Sequence, residues 1–163
     1  MLKTPAPSFT IETLSNIKDL KKLVNFLIKQ SLGYPNYEDW VQRSEYEIDI
    51  GYKIAWLAFS NGHLVGDLIY QPHKELVRVR ELKNLRIDPT YRERGLATIM
   101  LRQAEVEDTG SFDLILCDVR SNQENLIYLL TKLGYKPMQT VSLYDPNTLD
   151  VIMVKNIEKS SHL

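Results

Sequence analysis

The 163-residue chain is poor in several residue types and patterns, and each scarcity excludes something. It has one cysteine, Cys117, so no internal disulfide can form and no Cys-rich zinc site is available. Its longest apolar run, Ile54 to Phe59, is far short of the roughly eighteen residues that a membrane span needs. Charge of neither sign dominates: 20 Lys and Arg stand against 21 Asp and Glu, for a net charge of −1. Composition therefore gives no support for nucleic acid or a membrane surface as a partner. The three histidines, His63, His73 and His162, show no metal-ligand spacing and are expected as solvated imidazoles, with no metal site. A phosphate loop of the G-x-x-x-x-G-K-[ST] type, a G-x-G-x-x-G fingerprint and a G-x-S-x-G elbow are all missing. No apolar leader region precedes Glu12, where Pro5 and Pro7 fall instead, so a cytoplasmic, reducing location is expected.

What is present fits one globular domain. Apolar residues make up 44% and charged residues 25%, and a chain of this length buries roughly 70% of its unfolded surface. The domain is expected over residues 8–157, with loose termini at 1–7 and 158–163. Phe9–Thr13 has strand character. Leu20, Leu23, Val24 and Leu27 recur at helical spacing behind the candidate caps Ser15 and Asn16, and Gly33 stops the run. A weaker helix is expected over Tyr37–Glu47. Ile54–Phe59 and Leu64–Tyr70, joined by Asn61-Gly62, make the best hairpin signal in the chain. A strand is expected over Val77–Ile87, then a helix through Leu96, Ile99, Met100 and Ala104. A central strand follows at Leu114–Val119. Ser121 and Glu124 have capping-box spacing before a Leu126–Leu129–Leu130–Leu133 stripe closed by Gly134. Two late strands, Met138–Tyr144 and Leu149–Ile157, flank Asp145-Pro146-Asn147. The sum is an α/β (α+β) domain with antiparallel hairpins at both ends and strand–helix–strand–helix between. Cys117, inside an apolar strand, is expected to be buried and inert.

The most informative segment runs from Leu85 to Ala97. A strand ends at Asp88-Pro89, a short basic loop follows, and a helix starts at Gly95. The first turn of a helix carries unpaired N–H groups and the positive end of the macrodipole. Glycine allows close approach to the backbone, and Arg92 and Arg94 add positive charge. A phosphate or pyrophosphate is the implied ligand; an ordinary strand-to-helix connection with solvated arginines is the plainer alternative.

This segment resembles the acetyl-CoA motif of the GNAT-superfamily N-acetyltransferases, [Q/R]-x-x-G-x-[G/A], with Arg92, Gly95 and Ala97 in the three places. Val119 to Tyr135 is similar to the family's next motif, a strand and a helix ending in Gly-aromatic. The resemblance implies a mixed, twisted sheet of about seven strands with about four helices. It implies acetyl-CoA as cosubstrate, its pantetheine arm along Leu85, Arg86 and Ile87 like an added strand. Its pyrophosphate would rest on the amides of Arg92, Glu93, Arg94, Gly95, Leu96, Ala97 and Thr98. Asn122 and Asn125 are further cofactor candidates, because the asparagine often found at the head of the second helix falls on Gln123 here.

The implied reaction is acetyl transfer to a primary amine, of a small molecule or a protein, by direct attack; a homodimer is compatible with it. The alternative is a catalytically weak CoA-binding domain of the same fold. An alkylamine is almost wholly protonated at neutral pH and needs a base. Glu81, eleven positions before Arg92 (92 − 81), occupies a place where some family members carry one; a paired surface carboxylate among Arg78, Arg80 and Lys83 is the equal alternative. A backbone N–H near Ile87 would meet the oxyanion. Many relatives set a tyrosine acid four residues before the helix-ending glycine. Here that place is Leu130 (134 − 4), and Tyr128 is the nearest phenol and the candidate acid, with packing or rim duty as its other reading. The acceptor is expected over the acidic, aromatic stretch containing Tyr34, Tyr37, Glu38, Asp39, Trp40, Glu45, Tyr46, Glu47 and Asp49. The basic stretch Lys74–Arg94 is expected to steer the anionic cofactor.

Overall fold

The computed structural model describes residues 7–31 and 33–159. Of the segments expected to be loose, 1–6 and 160–163 lie outside the described residues; Lys159 pairs with Asp113 at 2.6 Å. Seven strands form one sheet: β1 (Phe9–Thr13), β2 (Ile54–Ser60), β3 (His63–Pro72), β4 (Val79–Ile87), β5 (Leu114–Arg120), β6 (Lys136–Val141) and β7 (Asp150–Asn156). Their order is β1-β2-β3-β4-β5-β7-β6. All neighbours are antiparallel except β4 and β5, which run parallel. Four α-helices complete the fold: α1 (Ile17–Lys29), α2 (Tyr37–Asp49), α3 (Leu96–Val106) and α4 (Glu124–Lys132). The expected mixed seven-stranded sheet with four helices is thus present.

Local chemistry accounts for the elements. Of the two cap candidates, Asn16 caps α1, its side chain accepting from the Asp19 amide at 2.8 Å. Asn61 and Gly62 both take positive φ (50° and 80°), as a tight two-residue hairpin requires. The expected capping box at Ser121 and Glu124 is not formed. The N-cap of α4 is Gln123, with no side-chain cap bond, and the Ser121 amide instead donates to Leu149 O at 2.9 Å. The turn between β5 and α4 thereby spends Ser121 on the β6–β7 connection.

Two clusters cover the two faces of the sheet. On one face Leu20, Leu23 and Leu27 of α1 and Val41 and Ile48 of α2 pack on Ala55, Leu57, Phe59 and Ile69. On the other, Leu96, Met100, Leu101 and Ala104 of α3 and Leu130 of α4 pack on Leu82, Ile115, Cys117, Val119 and Met153. Lys155 of β7 ties α3 to α4 on this second face, bonding Glu105 Oε1 (2.9 Å) and Leu133 O (2.7 Å). Arg80 also lies on this face, sandwiched between the Tyr70 and Phe112 rings (4.2 and 3.8 Å to the centroids). It donates to Ala104 O and Glu107 O, both at 2.7 Å. No helix among the described residues is long and apolar enough to cross a membrane.

One irregularity positions everything that follows. Tyr70 pairs with Leu82 and Ile69 with Asn84, so Lys83 is an extra residue in β4, a β-bulge. The β4–β5 ladder runs only from Val79–Leu114 to Leu82–Cys117. Beyond the bulge the two parallel strands part. Where β4 ends, β3 approaches it closely: a Cβ on Gly66 would stand 2.7 Å from Ile87 Cδ1 and 3.1 Å from Arg86 O. Gly66→Val is therefore expected to destabilise the domain by about 1–3 kcal/mol through overpacking, read as a lower urea midpoint at unchanged slope. A midpoint equal to the parent's would show that β3 and β4 are not held this tightly.

Candidate active site

The parting of the strands leaves the outer backbone edge of β4 free on the gap. The Asp88 amide reaches Val65 O on β3 (2.8 Å). By strand alternation, the N–H and C=O of Ile87 and Leu85 then point the other way, to the edge that β5 has left. Both carbonyls on that edge are met by arginine side chains: Arg92 Nε donates to Ile87 O (3.1 Å) and Arg86 Nη1 to Leu85 O (3.1 Å). The two amides remain. The Ile87 side chain is buried in the core and that of Leu85 is packed against it, so both serve through backbone. Arg86 also reaches Gln30 O at the end of α1 (3.4 Å).

The loop after β4 opens onto the same gap. Asp88 caps a short turn at Pro89–Tyr91 by accepting from the Thr90 amide (2.9 Å). Glu93 takes a positive φ of 60°, and Gly95, the N-cap of α3, one of 79° with no side-chain cap. A Cβ at Gly95 would meet nothing within 4 Å. None of the amides of residues 92–98 donates to a backbone or side-chain oxygen among the described residues. Seven donors are thus without a partner around the start of a three-turn helix, whose dipole adds to their field. Leu96 is buried, Ala97 and Thr98 are half-buried, and Arg92, Glu93 and Arg94 are exposed. Arg94 lies over the Tyr91 ring at 5.7 Å.

Several cations of the basic stretch also have structural partners. Arg78 holds Asp113 (2.7 Å), Arg80 is buried under α3, and Arg86 and Arg92 hold strand carbonyls. Arg92 and Arg94, both exposed and with no carboxylate partner among the described residues, keep their charge beside the loop's amides. Asn122 and Asn125, at the start of α4, are exposed. Tyr128 is 61% exposed with Lys132 over its ring at 4.7 Å, whereas Leu130 is buried in the core. The two sit about 200° apart around the helix.

On the sheet face that carries α1 and α2, the parted strands present a polar floor. Glu81 keeps one partner from its sequence neighbourhood: Lys83 Nζ donates to Oε1 (2.8 Å) and Gln71 Nε2 to Oε2 (3.3 Å). Arg78 and Arg80, expected beside it, are not its partners. Beyond the last β4–β5 rung, β5 contributes Asp118 and Arg120, which alternate away from the core residues Cys117 and Val119. Tyr144, after β6, donates to Asp118 Oδ2 (2.8 Å). Tyr34, before α2, stacks on Arg120 (3.8 Å) and meets Tyr144 edge-on (5.2 Å). Sequence reasoning missed Asp118, Arg120 and Tyr144. The signal was there in β5, whose alternation Ile115, Cys117, Val119 against Asp118, Arg120 marks two faces of different character.

Of the acidic, aromatic stretch expected to receive an acceptor, several members serve the fold. Tyr37 donates to Leu27 O (2.6 Å) and stacks on Trp40. Lys53 is buried between Glu47 (2.7 Å), Ser44 (2.9 Å) and the Trp40 ring. Cys117 is buried, and burial pushes its thiol up to about 12, so it carries no thiolate near neutral pH.

The sequence profile of the acetyltransferase (GNAT) family matches residues 20–135. No curated protein matches the sequence. Among solved structures, a GNAT-family protein from Desulfovibrio desulfuricans superposes with a TM-score of 0.80 at 12% identity, over 93% of this chain and 100% of that one. The ribosomal-protein-S18-alanine N-acetyltransferase of Escherichia coli gives 0.72 at 20% identity, over 96% and 99%. The spermidine N-acetyltransferase of Vibrio cholerae, solved with CoA and spermine, gives 0.70 at 15% identity, over 91% and 95%. At such identities the likeness is one of fold.

One carboxylate near the floor is sealed off from it. Asp67 is fully buried on β3; its Oδ2 accepts from Asn84 (2.7 Å) and its Oδ1 has no partner. Desolvation pushes its carboxyl up to about 7, against the lowering by Asn84 and Arg86. Because the folded value lies above the unfolded one, roughly 3.9, ionisation is resisted only in the folded state. Stability is therefore expected to fall as pH rises from about 4 to about 7, and then to level off. Asp67→Asn should flatten that slope and raise the urea midpoint at pH 8 above the parent's. A slope that survives the substitution would place its origin elsewhere.

Proposed function

Since this chain belongs to the GNAT acetyltransferase family, we propose that it moves an acetyl group from acetyl-CoA to a primary amine, of a small molecule or a protein, by direct attack in a ternary complex. The observation that carries this reading is the run of unpartnered amides at residues 92–98 beside the parted ends of β4 and β5. A pyrophosphate supplies the acceptors those donors need. The pantetheine arm would lie along the free edge of Leu85, Arg86 and Ile87, and Asn122 and Asn125 stand at the α4 end of the same gap. Bound acetyl-CoA supplies an activated thioester carbonyl.

The protein's own tasks are then three. The Ile87 amide, left without a strand partner, is aimed to stabilise the oxygen that becomes negative as the amine adds. Glu81 and Asp118 are the carboxylates on the acceptor side, where the ammonium must shed a proton before it can attack. The thiolate is a good leaving group, its conjugate acid ionising near 8.5 in the reference thiol, so protonating it adds little. That weak demand suits a chain with Leu130 in the core and Tyr128, the expected acid, on the outer side of α4. The neighbours named for spermidine and for a ribosomal-protein alanine span small-molecule and protein amines, and the acceptor here is of that general class. A weakly catalytic CoA-binding domain is the second reading, favoured by Leu130 in the tyrosine place.

Gly95→Glu tests the cofactor site. The new side chain would enter open space, at the modest cost of a left-handed backbone, about 1–2 kcal/mol, and would set a carboxylate before the amides. In the parent, acetyl-CoA at a hundred times its Kd should stabilise by about 2.7 kcal/mol, seen as a raised Tm. The variant should fold and show no such rise. A variant stabilised as much as the parent would refute the loop assignment, and thiol release from acetyl-CoA over a panel of amines separates enzyme from binding domain.

A further inference from the structure

The polar floor holds two carboxylates with different surroundings. Glu81 is spent: each of its oxygens already accepts a hydrogen bond, one of them from the Lys83 ammonium. It also sits one rung inside the ladder, opposite Leu116. Asp118 is the first residue of β5 past the last rung, Leu82–Cys117, and so stands at the mouth of the gap. Only its Oδ2 is engaged, by the Tyr144 hydroxyl; Oδ1 accepts nothing among the described residues and is not sealed from solvent. The groups facing it are Tyr144 from the β6–β7 connection, Tyr34 from the α1–α2 connection, Glu81 and Lys83 from β4, and Asp150 from β7, with Arg120 on its own strand. The one lysine among them, Lys83, is already paired with Glu81.

Resting on the acetyl-transfer reading, we propose that Asp118, held in place by Tyr144, receives the ammonium of the acceptor and takes its proton, while the Glu81–Lys83 pair holds β4 at its bulge. In the step, one N–H bond of the ammonium breaks and its proton passes to Asp118 Oδ1. The freed nitrogen lone pair forms the C–N bond, and the thioester C=O pair moves onto oxygen. Collapse breaks the C–S bond, the remaining surplus N–H proton goes to the departing thiolate, and Asp118 returns its proton to water. Desolvation, the largest influence on Asp118, holds its carboxyl above the usual aspartate range, closer to the working pH of a base. Tyr144 acts as a positioning residue: its hydroxyl favours the ionised carboxyl and leaves Oδ1 as the open oxygen.

The experiment is a pH profile of kcat/KM for thiol release from acetyl-CoA, with butylamine, a diamine, free alanine and an alanine-initiated tripeptide as probes. For the best probe, the parent should rise along an acid limb set by a carboxyl above the usual aspartate range, and then level off. Asp118→Asn should lower kcat/KM at pH 7 by about 10²-fold or more. It should replace the plateau with a climb of about tenfold per pH unit toward the amine's own pKa, since only neutral amine would then react. Tyr144→Phe should move the acid limb to higher pH, because the bond that favours the carboxylate is gone; a merely structural tyrosine would leave it in place. Glu81→Gln should keep the limb. Retained stabilisation of Asp118→Asn by acetyl-CoA shows that fold and cofactor site stand. An acid limb that survives Asp118→Asn, or that disappears in Glu81→Gln, overturns the proposal alone. A parent that binds acetyl-CoA but releases no thiol with any probe overturns the transfer reading, and this proposal with it.

Discussion

A single extra residue, Lys83, sets the geometry on which the rest depends. Sheet ladders are cooperative, and β5 would continue along β4 to Ile87 if the register allowed it. The bulge turns the β4 backbone just past Leu82 and leaves four rungs of parallel pairing. An unpaired edge inside a sheet is a liability, since N–H and C=O groups without partners cost free energy when buried. Two contacts fix the end of β4. Gly66 brings β3 against the last residues of β4 closer than any side chain would allow. Arg92 and Arg86 then occupy the two outward carbonyls.

The arginines change the chemical character of the gap. Once the carbonyls of Ile87 and Leu85 are met, the edge offers donors only, and the loop beyond it offers seven more, at residues 92–98. A donor-lined cleft favours oxygen-rich, electron-rich ligands along its length, from the helix start to Ile87. The opposite side of the sheet has the reverse character. Glu81, Asp118 and Asp150 face the floor there, and the cationic groups among them are paired or stacked. A molecule reaching one wall as an anion and the other as a cation would meet at the parted strands, where the two walls share the same few residues of backbone.

Much of this was legible in the sequence, and the reasons for the exceptions are specific. The hairpin at Asn61-Gly62, the apolar stripe of α1 and the Gly134 stop of α4 are local signals, and local signals survive folding. The segment Leu85–Ala97 was legible because a helix start at a glycine is written in consecutive residues. The partners of Arg80 and Arg92 were not. Arg80 looks like a surface charge beside Glu81, yet alternation turns it under α3, where two carbonyls and two rings take it up. The capping box at Ser121 failed because its amide is claimed by Leu149, a residue 28 positions later (149 − 121).

The polar floor was the least legible part, and topology explains why. Asp118, Tyr144 and Tyr34 come from β5, the β6–β7 connection and the α1–α2 connection, and no spacing rule relates them. Only the sheet order, which sets β7 and β6 beside β5 rather than after it, brings Tyr144 over Asp118. The acidic, aromatic stretch of α2 was the more conspicuous candidate, but a conspicuous cluster of charge and rings is also what a packed helix–sheet contact needs. Lys53, Glu47, Trp40 and Tyr37 satisfy one another there. What distinguishes Asp118 from Asp67 and Asp150, whose spare oxygens are buried, is a spare oxygen left open at the gap, and that difference exists only in three dimensions.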